Sequence, residues 1–324
     1  MVSLKDIAAE LNLSISVVSR ALNPKPDSNA IVAKKTRQLI LDTCERMGYR
    51  RNRMAEFVKR RRFPGIGVFL PNTANSLVAN LIFGISEEAG SKDFPLLIHS
   101  GMDVASYSEF MHNNLELAAG GIITYSATQY QQHGIQKLLE QYCKEGGKVL
   151  ILNDSTVKDY TKLYMDEFAG GRLAAQMLIE SNCQNFFCFR GEEVENSVTQ
   201  MRYEGFSSKL RENGAICHLV DNLFEIPEFV KKTPSSGVFT VTDTYAITLM
   251  QLAYQEGISA PDDFKLVGYD NLDCSAILGL STIHQPFREE GRIAANKIIQ
   301  MIYGNEEKDE IIIPSAIVRK TTLC

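Results

Sequence analysis

A chain of 324 residues is too long for one ordinary hydrophobic core and suits a small domain joined to a larger body of two lobes. Hydrophobic residues make up 44% of it, enough for real cores, yet no run of about 18 apolar residues occurs, so no membrane span is expected. The net charge of −5 hides an asymmetry: 14 of the 34 basic residues but 6 of the 39 acidic ones fall in the first 63 positions, a head of +8 on a body of −13. Such a head selects a polyanion as its partner. The seven cysteines include no C-x-x-C and read as reduced thiols, and the five histidines show no metal-ligand spacing, so neither a metal nor a cofactor is expected. The first residues lack the apolar stretch of a signal peptide, so the chain is expected in the cytoplasm.

In chain order, residues 3–23 come first. Ser3 with Asp6 three residues on is a capping signal, and Leu4, Ile7, Ala8 and Leu11 form the buried stripe of a helix. Asn12-Leu13-Ser14 breaks the pattern. Ser14 can cap a second helix in which Val18, Ala21 and Leu22 turn back on the first, leaving Ile15, Ser16, Ser19 and Arg20 on the outer face. Two helices across so short a turn have helix-turn-helix spacing, and that outer face is what such proteins lay in the major groove. A loop follows at 24–31, and a third helix runs over 34–47, with Leu39, Ile40, Thr43 and Met47 inward.

These residues carry a resemblance. Lys5-Asp6-Ile7-Ala8, Leu13-Ser14, Val17-Val18-Ser19-Arg20-Ala21-Leu22-Asn23, Thr36-Arg37 and the run from Met47 through Gly48-Tyr49 and Asn52 to Ala55 resemble the DNA-binding head of the LacI/GalR repressor family. The resemblance implies double-stranded operator DNA as partner. The contacts it implies fall on Lys5, Ile15, Ser16, Val17, Ser19, Arg20, Asn23 and Tyr49, and on Asn52, Ala55 and Val58 of a hinge helix. Against the family pattern the 24–31 link is about four residues longer, and Ala33 stands where a capping Ser is usual. In the hinge, Val58 replaces the usual Leu wedge, which predicts a shallower DNA kink than in relatives.

From Pro64 onward short apolar runs alternate with amphipathic stretches. Strands are expected at 66–70, 96–99, 121–124, 149–152, 186–189, 237–241 and 265–269, with a last one at 316–319. Helices are expected at 77–89, 168–179, 201–213, 245–256 and 287–302. This repetition means parallel sheets with helices on both faces, which bind ligands at the carboxyl ends of their strands. The family resemblance extends through Gly170-Gly171-Arg172, Arg202-Tyr203-Glu204-Gly205-Phe206, Val267-Gly268-Tyr269-Asp270 and Gln285-Pro286. It implies an α/β body of two periplasmic-binding-protein-like lobes closing on an effector, probed by Arg202 and Asp270. Asn153 replaces the common Asp and Thr242 the common Asn, and Asn75, Ser76 and Tyr125 complete the expected set. No aromatic stands near Leu77, so Tyr125, Phe224, Tyr245 or Tyr269 would have to stack on a ring.

The implied domains are a head at 1–50, a hinge and linker at 51–63, and an effector-binding and dimerisation body at 64–324. Its lobes divide as 64–160 with 285–313 and 161–284 with 314–324. The function implied is a homodimeric, ligand-responsive regulator of carbohydrate-related genes that binds a sugar or sugar derivative. The rival reading is a sugar-binding receptor with no role on DNA. An enzyme is not expected: Gly65-x-Gly67 lacks the third glycine and the lysine of a nucleotide loop, and Gly84-Ile85-Ser86 lacks the closing glycine of a nucleophile elbow.

Overall fold

The computed structural model describes residues 2–22, 32–49, 63–71, 76–101, 103–125, 135–191 and 197–323. The chain divides into two compact units, Met1–Arg61 and Arg62–Cys324. The first holds α1 (Leu4–Glu10), α2 (Ile15–Leu22) and α3 (Lys34–Arg46). The capping box forms as its residues predict: Ser3 N donates to Asp6 Oδ2 at 2.8 Å, and Asp6 N donates to Ser3 Oγ at 3.4 Å. At the start of α2, Val17 N donates to Ser14 Oγ at 3.3 Å. Ile7, Ala8, Val18, Ala21, Ile40 and Cys44 make the core of this unit. Leu39, expected inward, is 52% exposed. Ile40, Thr43 and Cys44 take the inner stripe of α3, and Leu39 lies about a quarter turn away from it.

Ala33 leaves the N-terminus of α3 without a side-chain cap. The helix is held instead by Arg37 Nε donating to the Ala21 carbonyl at 3.2 Å and by Arg46 pairing with Glu10 at 2.8 Å. Ala33→Ser should stabilise this unit by about 1 kcal/mol, read as a higher urea midpoint for loss of its helical signal.

The second unit contains two six-stranded sheets. The first comprises β1 (Phe63–Leu70), β2 (Leu96–Ser100), β3 (Ala119–Tyr125), β4 (Lys148–Leu152), β5 (Thr161–Met165) and β11 (Glu310–Ile312), in the order β11-β5-β4-β3-β1-β2. The second comprises β6 (Asn185–Phe189), β7 (Cys217–Val220), β8 (Ser236–Thr240), β9 (Phe264–Asp270), β10 (Ser281–His284) and β12 (Ser315–Ile317), in the order β12-β10-β9-β8-β6-β7. Every pairing is parallel except that of β10 with β12. The central strands are buried along nearly their whole length, as strands covered on both faces must be, and apolar clusters lie on either side of each sheet. The chain passes to the second sheet after Met165. Thr161–Met165 is a further parallel strand of the first sheet, in register with Leu150–Leu152.

The helices that frame the sheets are α4 (Ser76–Ser91), α5 (Val104–Glu116), α6 (Ile135–Lys144), α7 (Glu167–Glu180), α8 (Ser197–Glu212), α9 (Ile226–Lys232), α10 (Asp243–Gln255), α11 (Asp273–Leu278) and α12 (Phe287–Tyr303). Two pairs of them pack backbone against backbone. A Cβ on Gly84 would meet the Arg288 carbonyl oxygen at 1.9 Å, and one on Gly291 would meet that of Leu81 at 2.3 Å, so α4 and α12 cross at glycine. Gly171 and Gly205 do the same for α7 and α8, against the carbonyls of Arg202 at 1.9 Å and Phe168 at 2.0 Å.

Candidate ligand cleft and helix-turn-helix face

The strands of both sheets end where α7 and α12 begin, and polar side chains from all of these elements gather there. Arg202, on α8, is buried. Its Nε donates to Glu167 Oε2 at 2.7 Å and its Nη2 to Glu167 Oε1 at 3.1 Å, a bidentate pair with the first residue of α7. Nη1 donates to the Val241 carbonyl at 2.8 Å and reaches Asp270 Oδ1 at 3.5 Å. The guanidinium lies over the Tyr269 ring, 3.9 Å from its centroid. Burial alone would push Arg202 down, but Glu167 and Asp270 hold it above its ordinary value. Arg202 and Asp270 therefore come together as the sequence suggests, but four of the five guanidinium N–H groups are already engaged. The residue that takes two of the four, Glu167, was missed by sequence reasoning.

On the first-sheet side, Asn153 and Tyr125 also meet. Asn153 Nδ2 donates to the Tyr125 hydroxyl at 2.8 Å and to Glu290 Oε1 at 2.9 Å, while its Oδ1 accepts from Met165 N at 3.2 Å. Glu290, a second residue missed in the sequence, is 0% exposed, and its Oε2 has no hydrogen-bond partner among the described residues. A signal existed for both. Glu167 begins the stripe Gly170, Gly171, Ala174, Ala175 and Leu178, and Glu290 sits in the stripe Phe287, Gly291, Ala294, Ala295 and Ile298. A carboxyl in the inward stripe of an otherwise apolar helix face is a charge the fold must bury.

Asp270 anchors the remaining wall, accepting from Gln285 Nε2 at 2.7 Å. Its backbone has φ 118, and Asn153 and Asn271 have φ 52 and 55, so three residues at strand ends hold conformations that L side chains rarely adopt. Beside Asp270 a cavity of about 280 Å³ opens, lined also by Ser76, Asn80, His284 and Gln285. Thr242 Oγ1 caps α10, accepting from Tyr245 N at 3.3 Å. Of the proposed stacking aromatics, Tyr269 already lies under Arg202, Tyr245 packs edge-on against Phe189, and Phe224 is 71% exposed. Asn75 lies outside the described residues.

Burial pushes the carboxyl of Asp270 up to about 7 against the pull of Arg202, and pushes that of Glu290 up to about 8. Burial first, and then the charge of Glu290, raises the Tyr125 phenol well above its ordinary value. A carboxyl whose pKa is higher folded than unfolded binds more protons in the folded state. Its contribution to stability is complete below the ordinary carboxylate range and is lost as pH rises to about 7 for Asp270 and about 8 for Glu290. The thermal midpoint should fall between about pH 5.5 and pH 8.5, and fall less in Glu290→Gln.

In the first unit, Lys5, Ile15, Ser16 and Arg20 are exposed, Ile15 by 49%. Ser14 and Ser16 share a hydrogen bond at 2.9 Å, and Arg20 Nε donates to the Ser16 carbonyl at 3.1 Å, laying the side chain along the outer face of α2. Val17 and Tyr49 are half-buried against the core of this unit, and Ser19 is half-buried. Asn23, Asn52, Ala55 and Val58, with the 24–31 loop, lie outside the described residues. Among the described residues no group of side chains could hold a metal ion, and no helix is long and apolar enough to cross a membrane.

Residues 175–322 match the periplasmic binding protein-like domain. The ribose operon repressor of Bacillus subtilis (strain 168) is 26% identical over 314 residues, covering 93% of this chain and 92% of its own. The HTH-type transcriptional repressor PurR of Histophilus somni (strain 129Pt) is 25% identical over 342 residues, covering 99% of each chain. Among solved structures, the lac repressor dimer bound to operator and the anti-inducer ONPF superposes with a TM-score of 0.73 at 22% identity, over 100% of this chain and 99% of that one.

Proposed function

We propose that the chain is a sequence-specific DNA-binding repressor of the LacI/GalR type whose affinity for its operator is set by a small carbohydrate-related effector. The observation that carries this reading is the presence in one chain of two parts. One is a basic helix-turn-helix unit with a polar outer face; the other is a two-sheet body with a charged, buried cleft at its strand ends. Full-length relatives that are repressors of ribose and other operons support it. It acts in the cytoplasm as a homodimer, so that two heads face a pseudo-palindromic operator.

In this reading Arg20 contacts guanine, Ile15 and Ser16 lie against base edges, and Lys5, Val17, Ser19 and Tyr49 fix the docking. Asn23 contacts the operator with the head, and Asn52, Ala55 and Val58 act at the hinge and minor groove. In the body, Asn75, Ser76, Tyr125, Asn153, Arg202, Thr242 and Asp270 surround the effector, with Arg202 holding the cleft's charges in place. The effector acts by binding one arrangement of the two lobes better than the other, a coupling typically of about 1 to 3 kcal/mol.

The test is selection of bound sequences from a random DNA pool by the full chain at about 0.15 M salt, where nonspecific attraction is screened. Enrichment of a palindrome is the expected result. A folded, dimeric chain that enriches nothing, with or without a pool of sugars, would instead mark a ligand receptor without a DNA role.

A further inference from the structure

Glu290 is the carboxyl that the fold leaves unanswered. It is 0% exposed in the inward stripe of α12, among Phe287, Gly291 and Ala294. Oε1 accepts from Asn153 Nδ2 at 2.9 Å, and Oε2 accepts nothing among the described residues. Three buried carboxyls, Glu167, Asp270 and Glu290, share this site with one guanidinium, that of Arg202. That guanidinium is committed to Glu167, at 2.7 and 3.1 Å, and reaches Asp270 at 3.5 Å, so among the described residues no cation answers Glu290, and burial disfavours its charged form. Burying a carboxyl without a partner costs stability, and the cost is removed when a donor of opposite charge arrives. Asn153 donates to the Tyr125 hydroxyl as well as to Glu290, which fixes both beside the open oxygen. The described residues offer no metal-binding group there.

Resting on the reading of this cleft as an effector site, we propose that the effector carries a protonated amine beside its hydroxyl groups, as an amino sugar does, and that Glu290 receives the amine. An ammonium presents three N–H donors and a full positive charge to an oxygen that lacks both. A neutral sugar would leave the Glu290 carboxyl without a cation.

The experiment is titration calorimetry on the full chain with D-glucosamine, D-galactosamine and D-mannosamine, each beside its parent hexose and its N-acetyl derivative. The expected result is binding of at least one amine, with the uncharged counterparts weaker by about tenfold or more. Glu290→Gln, which keeps the size and removes the charge, should weaken that amine by a similar factor and raise the thermal midpoint of the unliganded protein. A merely structural carboxyl would lower it. Parent sugars binding as tightly as amines, or full amine affinity in Glu290→Gln, overturns the proposal while leaving the effector reading intact. Binding by none of the nine compounds overturns it as well, and operator enrichment in the DNA selection then shows whether the regulator reading survives.

Discussion

Replacing Arg202 by Met should lower the stability of the second unit by about 3 to 5 kcal/mol. The guanidinium holds two buried carboxyls, Glu167 and Asp270, and the Val241 carbonyl, and it covers the Tyr269 ring at 3.9 Å. Methionine fills part of the volume but leaves both carboxyls in a low-dielectric site with no cation, and that unpaired charge supplies the cost. Pairing the change with Glu167→Gln should recover part of the loss, because one of the stranded charges is then gone; the two substitutions will be less than additive. Urea unfolding of the full chain, followed by a probe of the second unit, reads both effects. A loss below about 1 kcal/mol for Arg202→Met would mean that the pair is open to water and that the cleft is not the dry site described above.

On DNA, the largest expected effect belongs to Arg20→Ala. The side chain lies on the exposed face of α2, and among the described residues its one hydrogen bond goes to the Ser16 carbonyl. Its loss should therefore leave the fold unchanged. A bidentate contact to guanine distinguishes that base by about 1 to 3 kcal/mol, so operator affinity should fall by roughly 5- to 150-fold. Affinity for random DNA at the same salt should change far less, because that binding rests on phosphate neutralisation spread over many basic residues. Equal losses on both would assign Arg20 to the backbone. Ile15 and Ser16 then remain as the readers, by methyl contact and a single hydroxyl.

Much of the architecture was legible because its signals are local. The Ser3–Asp6 capping box is read from two residues, and the seven strands expected between 66 and 269 are short, mostly apolar runs. Beside Cys217–Val220, an edge strand, the strands that escaped include several whose stability comes from elsewhere. Ser281–His284 is a strand whose polar side chains are answered at a distance, Ser281 by Thr322 at 2.7 Å and Thr282 by Asp243 at 2.6 Å. Thr161–Met165 and Glu310–Ile312 complete one edge of the first sheet by pairing with each other, across about 150 residues of chain. In the cleft, Arg202 and Asp270 were recognisable from motif and position. Glu167 and Glu290 were not, since among neighbours such as Arg288, Glu289 and Arg292 an acidic residue reads as ordinary helix surface until its place in the buried stripe is counted.

The glycine crossings bear on how such a molecule can change its specificity. Where Gly84 meets Arg288 and Gly291 meets Leu81, and again where Gly171 meets Arg202 and Gly205 meets Phe168, the atoms in contact are main-chain atoms, which every amino acid shares. The spacing of each helix pair is thus indifferent to the identity of the side chains that line the cleft beside it. Ligand chemistry can be rewritten one position at a time, an acid at 290 being one such word, while the frame that holds the letters keeps its dimensions. The same indifference makes the four glycines the least editable positions of that frame.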